Sequence, residues 1–121
     1  MWSSLQAIIE WVASELSIDA ATYPQAGATM PFAVVNRVSG PCSYPHDQPR
    51  YGVQFWTNSD AEGESLAYDL CVALPSITDA DDRINAVGVP DVTQLGHIED
   101  GGFVWQVTFD LSTNIYQPER G

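Results

Sequence analysis

Hydrophobic and polar positions are most clearly patterned between Tyr51 and Leu74. Tyr51, Val53 and Phe55 alternate with Gly52, Gln54 and Trp56, the period of a strand with one buried face. Asn58 and Ser59 break that period, and Ser59-Asp60-Ala61-Glu62 has the spacing of a capping box. Asp60, Glu62 and Glu64 put negative charge at the positive end of the helix dipole. Leu66, Ala67, Leu70 and Leu74 then recur at helical spacing, and Pro75 stands where the helix must stop.

Two further stretches are as legible. Ser3-Ser4-Leu5-Gln6 is a second capping box and opens a helix to about Ser17, with Leu5, Ile8, Ile9, Val12 and Leu16 as its apolar stripe. Trp2 and Trp11 fall off or at the edge of that stripe, to cover the core margin or to meet a partner. Phe103, Trp105, Val107, Phe109 and Leu111 alternate with Val104, Gln106, Thr108 and Asp110 in a closing strand. A one-residue slip would turn all five apolar side chains outward, so its register is firmly specified.

The remaining stretches read as follows. Pro31–Val38 is apolar enough on both faces to be a central strand, and Ile84–Val89 is a short one. Asp19–Met30 and Pro90–Gly102 read as connectors, Ser76–Arg83 as an acidic turn, and Ser112–Gly121 as a loose tail. Ser39–Arg50, stiffened by Pro41, Pro45 and Pro49, is too long for an ordinary hairpin loop; such loops carry contacts or are tolerated surface insertions. The order is α-β-β-α-β-β. The expected fold is α/β (α+β): one domain over residues 1–121, with two helices on one face of a mostly antiparallel four-stranded sheet. The other face would show Gln54, Trp56, Gln106, Thr108 and Asp110 to water or to a wet interface.

Charge narrows the choice of partners. Among 121 residues, 16 acidic side chains face four basic ones, all arginine, for a formal charge of −12. Such a surface repels phosphate backbones and argues against tight nucleic-acid binding, though it suits a channel that DNA slides past. No apolar run approaches the ~20 residues that span a bilayer, and the N-terminus lacks the basic flank and apolar core of a secretion signal. With only Cys42 and Cys71 and no such signal, a disulfide is disfavoured; Cys71 falls in the helix's apolar register.

Catalytic motifs are missing. The sequence has no Gly-rich phosphate loop, no G-x-S-x-G, no H-E-x-x-H and no C-x-x-C pair. His46-Asp47 and the group His97, Glu99, Asp100 have metal-ligand chemistry, but loop exposure explains them better. Asp79, Asp81 and Asp82 start like a calcium loop, but Arg83 takes the next ligand position and neither the turn Gly nor the final Glu follows. No cofactor and no catalytic residue is expected.

The segment Pro31-Phe32-Ala33-Val34-Val35-Asn36-Arg37-Val38-Ser39-Gly40 is followed by Asp47-Gln48-Pro49-Arg50. Val53-Gln54-Phe55-Trp56-Thr57, Asp60-Ala61-Glu62, Leu66-Ala67 and Ala73-Leu74 come next. With the closing Val104-Trp105-Gln106-Val107-Thr108-Phe109, the chain resembles, from Leu5 to Leu111, the tail terminator (tail completion) proteins of long-tailed, non-contractile phages. That resemblance implies helices packed on a sheet and a hexameric ring on the head-proximal end of the tail tube. The ring stops tube polymerisation and meets neck or head-completion proteins, while genomic DNA passes through without specific binding. It implies a virion protein made in the bacterial cytoplasm, with no membrane partner and no enzymatic role. As contacts it points to the Gly40–Arg50 loop, with Tyr44, His46 and Arg50 as charged or polar anchors, and to Trp56. Two alternatives stay open: another neck (head–tail joining) protein, and a ferredoxin-like domain that binds a small ligand.

Overall fold

A computed structural model of the chain describes residues 1–99 and 101–118. The helices form where the caps place them. Helix α1 (Ser4–Leu16) starts at Ser3, whose hydroxyl accepts from the Gln6 amide at 3.1 Å, and ends at Ser17 in the left-handed region. Helix α2 (Asp60–Ala73) starts at Ser59, whose hydroxyl accepts from the Glu62 amide at 3.1 Å. The Glu62 carboxylate reaches back to the Asn58 amide at 2.8 Å, so both halves of the box are made. The α-helix stops at Ala73, and a 3-10 helix (Leu74–Asp79) carries Pro75 in its first turn.

The sheet corrects the sequence-based expectation. Among the described residues there are eight strands in a mixed sheet, not four in a mostly antiparallel one, and the order α-β-β-α-β-β does not hold. The strands are β1 (Asp19–Ala21), β2 (Phe32–Ser39), β3 (Cys42–Ser43), β4 (His46–Asp47), β5 (Arg50–Thr57), β6 (Ile84–Val87), β7 (Asp91–His97) and β8 (Phe103–Asn114). Strand β1 runs parallel to β2 inside the expected 19–30 connector. The β3–β4 hairpin occupies the expected 39–50 loop, and β7 the expected 90–102 connection. Strand β8 continues to Asn114, so part of the expected loose tail is sheet, with Thr113 fully buried; residues 119–121 of that tail lie outside the described residues.

Strand β8 is the spine. Along one edge it pairs with β5 and then, in the same register, with β4; along the other it pairs with β7 and then β6. Strand β2 lies beyond β5, and β1 beyond β2. The two edges at this end of the sheet are therefore β1 and β7.

Both helices lie on one face of the sheet. Ile8 and Val12 of α1, Ala67 and Leu70 of α2, and Leu74 and Ile77 of the 3-10 helix meet Ala33, Val35, Tyr51, Val53, Phe55, Val107, Phe109 and Leu111 in one core. Of the five apolar side chains expected on one face of β8, Val107, Phe109 and Leu111 are buried there, while Phe103 and Trp105 are half-buried. The buried Tyr51 hydroxyl hydrogen-bonds the Ser4 hydroxyl at the start of α1, and burial raises the phenol's pKa. Trp105 lies across the first turn of α2 and donates from Nε1 to Asp60 Oδ1 at 2.9 Å.

Candidate functional site

The sheet face without helices carries two of the four candidate residues, Trp56 and Arg50, at opposite ends of β5. Alternation places Phe32, Trp56 and Val104 in one cross-strand row and Val34, Gln54, Gln106 and Thr93 in the next. Phe32 and Trp56 stack with ring centroids 5.4 Å apart. Trp56 Nε1 donates to Gln54 Oε1 at 3.2 Å, and Gln54 Nε2 donates to Gln106 Oε1 at 3.3 Å. Phe32, Val34 and Val104 are nearly buried. This face is thus less water-facing than its polar residues suggest, and Trp56 is half-buried, not free-standing.

Arg50 sits at the other end of β5 on the same face. Its Nη1 contacts both Asp110 carboxylate oxygens at 3.1 and 3.2 Å, and its Nη2 lies 3.7 Å from Asp91. The guanidinium already has two partners within the chain. Exposed pairs of this kind contribute about 0–1 kcal/mol, so Arg50→Gln should leave the thermal midpoint within a few degrees of the parent's. A thermal scan beside an assembly assay separates the roles: a large drop in the midpoint would show that Arg50 serves the fold.

Tyr44 and His46 form a second locus. Tyr44, at the hairpin tip, accepts from the Gln117 amide at 2.8 Å, and its ring lies 6.5 Å from that of Tyr116. His46 pairs with Asn114 and is exposed. Its neighbour Asp47 turns to the opposite side, because successive strand residues alternate. The Asp47 carboxylate, with its side chain 7% exposed, takes a bidentate grip from Arg37 at 2.7 and 2.8 Å. Arg37 also donates to the Gly40 carbonyl at 3.0 Å and so ties down the root of the hairpin. The Arg37 hydrogen bonds hold the Asp47 carboxyl below its usual range, against the opposing effect of burial. His46 and Asp47 therefore do not converge on one ion or one proton.

Asp81 is likewise engaged within the chain, accepting from Trp2 Nε1 at 3.0 Å and from the Arg83 amide at 2.9 Å. Arg83 lies 5.9 Å from the Trp2 ring and donates to the Tyr116 carbonyl at 2.9 Å. His97 packs against Phe103 at 4.8 Å; Asp100 of the expected His97–Glu99–Asp100 group lies outside the described residues. Among the described residues no three His, Cys, Asp or Glu side chains group as metal ligands. Both cysteines are free thiols, Cys42 exposed and Cys71 partly buried with its pKa raised by that burial. A hollow of about 600 Å³, open to solvent, runs beside α1 between Trp2, Trp11, Glu10 and Asp81.

Sequence reasoning missed the Arg37–Asp47 clamp and the open strand β7. The first had an available clue, an arginine in an apolar strand ten residues before an aspartate in a proline-rich loop. Compared with protein-family models and with curated proteins, the chain matches none.

Proposed function

We propose that the chain is a structural virion protein of a long-tailed phage, a ring-forming tail terminator. The ring caps the head-proximal end of the tail tube, ends its polymerisation and joins the tail to the neck. Its partners are further copies of the chain, in a hexamer, the tube protein, and a neck or head-completion protein. The observation that carries this reading is the sheet face without helices. Its side chains are fixed by stacking and amide hydrogen bonds, which makes a stiff, partly polar contact surface, not a pocket. An acidic surface fits a lumen that DNA must cross without adhering, given the formal charge of −12.

Electron microscopy of particles assembled with this gene interrupted tests the proposal. Overlong headless tubes beside full tailless heads are the expected result. Tails of normal length that fail to join heads would move the protein to the neck, and normal virions would end the reading.

A further inference from the structure

Strand β7 ends the sheet with the outer side of its backbone unpaired among the described residues. Six of its seven residues are exposed, and among the described residues its only strand partner is β8. The hydrogen bonds at either end of the edge fix the phase of the ladder. The Gly88 amide donates to the Asp110 carbonyl at 2.8 Å, and the Ile98 amide donates to the Gly102 carbonyl at 2.9 Å. Even-numbered residues of β8 thus turn their polar groups toward β7, so their partners Asp91, Thr93 and Gly96 are bonded inward. The amides and carbonyls of Val92 and Gln94 point away from β8, with nothing beyond them.

Soluble proteins usually guard such an edge with lysine, proline or a twist. This chain has no lysine, Pro90 stands just before the strand, and the irregularity between Gln94 and Gly96 leaves Asp91–Gln94 regular. Side chains reinforce the point. Val92 and Leu95 are 38% and 48% exposed. The flank of α2 on β7's side, marked by helical spacing at Glu64, Tyr68 and Cys71, leaves Tyr68 54% exposed. The helical layer ends one strand short of the sheet.

The opposite edge, β1, is also open and is unlike β7: three residues, paired parallel to β2, with Tyr23 exposed just beyond it. Two unlike open edges on one sheet satisfy each other only head to tail, the contact that generates rings or filaments. We propose that β7 is a docking edge for a second copy of this chain, which adds its β1 edge and makes one sheet across the two subunits. The inference rests on the ring reading above and names the contact that builds the ring.

The test measures the full chain by sedimentation equilibrium across a salt series, with amide hydrogen exchange read residue by residue. Backbone pairing between two subunits of charge −12 strengthens as salt screens their repulsion, whereas an ion-pair interface weakens. In the assembled state the Val92 and Gln94 amides should slow, while the inward Thr93 amide is protected in monomer and assembly alike. Gln94→Pro deletes an outward donor without touching a β8 bond, and should weaken association about tenfold at an unchanged melting temperature. If that variant does not fold, the exchange of Val92 and Gln94 in the parent chain decides alone. Assembly with both amides still exchanging freely would overturn the edge contact yet leave a ring intact. A chain monomeric at every salt concentration would also overturn it, and the ring reading would then stand or fall on the particles.

Discussion

Gly63→Ala is expected to destabilise the domain by about 2 kcal/mol, the reverse of what the change does on an open helix. Alanine in a helix interior ordinarily gains up to ~1 kcal/mol over glycine, because it loses less backbone freedom on folding. At Gly63, however, an added Cβ would lie 2.4 Å from Cδ1 of Trp105 and 3.1 Å from the Thr57 hydroxyl. The indole cannot swing aside freely: its Nε1 is bonded to Asp60 in the same helical turn. The Thr57 hydroxyl is likewise engaged, donating toward the Phe103 and Ser59 carbonyls at 2.8 Å each. Either the helix lifts from β8 or Trp105 leaves its place, and both unpack the core where α2 meets the spine. For a chain of this length the loss corresponds to a fall in melting temperature of roughly 8 °C. A double-mutant cycle assigns the cause: in a Trp105→Leu background, Gly63→Ala should be neutral or stabilising. An equal loss in both backgrounds would place the strain elsewhere.

Trp105, Gly63 and Asp60 also show which parts of this fold are legible in sequence. Where an element buries one whole face, the period survives in the residues. Thus α1, α2, β5 and the first nine residues of β8 are readable, β2 shows instead as an apolar run, and the Ser59 cap is correct to the hydrogen bond. Strands that bury little leave no period to read. Asp19-Ala20-Ala21 is held by its parallel neighbour β2, and Asp91–His97 has neither face covered by a helix. Cys42-Ser43 and His46-Asp47 pair because Arg37 ties the hairpin to β2 and Thr113 ties it to β8, contacts 10 and 66 residues away in sequence. These are tertiary causes, which is why an expected four-stranded sheet proves to have eight strands. The same holds for the candidate residues. Trp56 and Arg50 could be placed on one face from alternation alone. That Arg50 is already partnered by Asp110, and Trp56 by Phe32 and Gln54, depends on cross-strand register.

The Arg37–Asp47 clamp carries the second large effect. Arg37→Ala should cost about 3 kcal/mol, because it strands a carboxylate that is only 7% exposed without its bidentate partner. The Arg37 side chain is itself 34% exposed, which sets the figure at the low end for a broken buried pair. Removing both charges at once, as Arg37→Met with Asp47→Leu, should cost much less than the single change, since no orphaned group remains. The pH dependence identifies the mechanism. In the parent protein the folded-state pKa of Asp47 lies below its unfolded value, chiefly through the Arg37 hydrogen bonds. Its contribution is therefore complete above the ordinary carboxylate range and is lost as pH falls through the lower folded value. In Arg37→Ala the carboxyl keeps the raising effect of burial, opposed only by the smaller hydrogen bonds from Cys42 and the Gln48 amide, so its folded-state pKa rises relative to the parent's and acidification should narrow the deficit. Denaturation curves for the two proteins at pH 7 and about pH 3 measure that difference. A deficit that stays constant between them would mean that Asp47 escapes to water when Arg37 is lost. The hairpin bearing Tyr44 and His46 would then be held by β8 alone, through the pairing of His46 and Asp47 with Asn114 and Thr113 and the Thr113 hydroxyl bond to the Asp47 carbonyl.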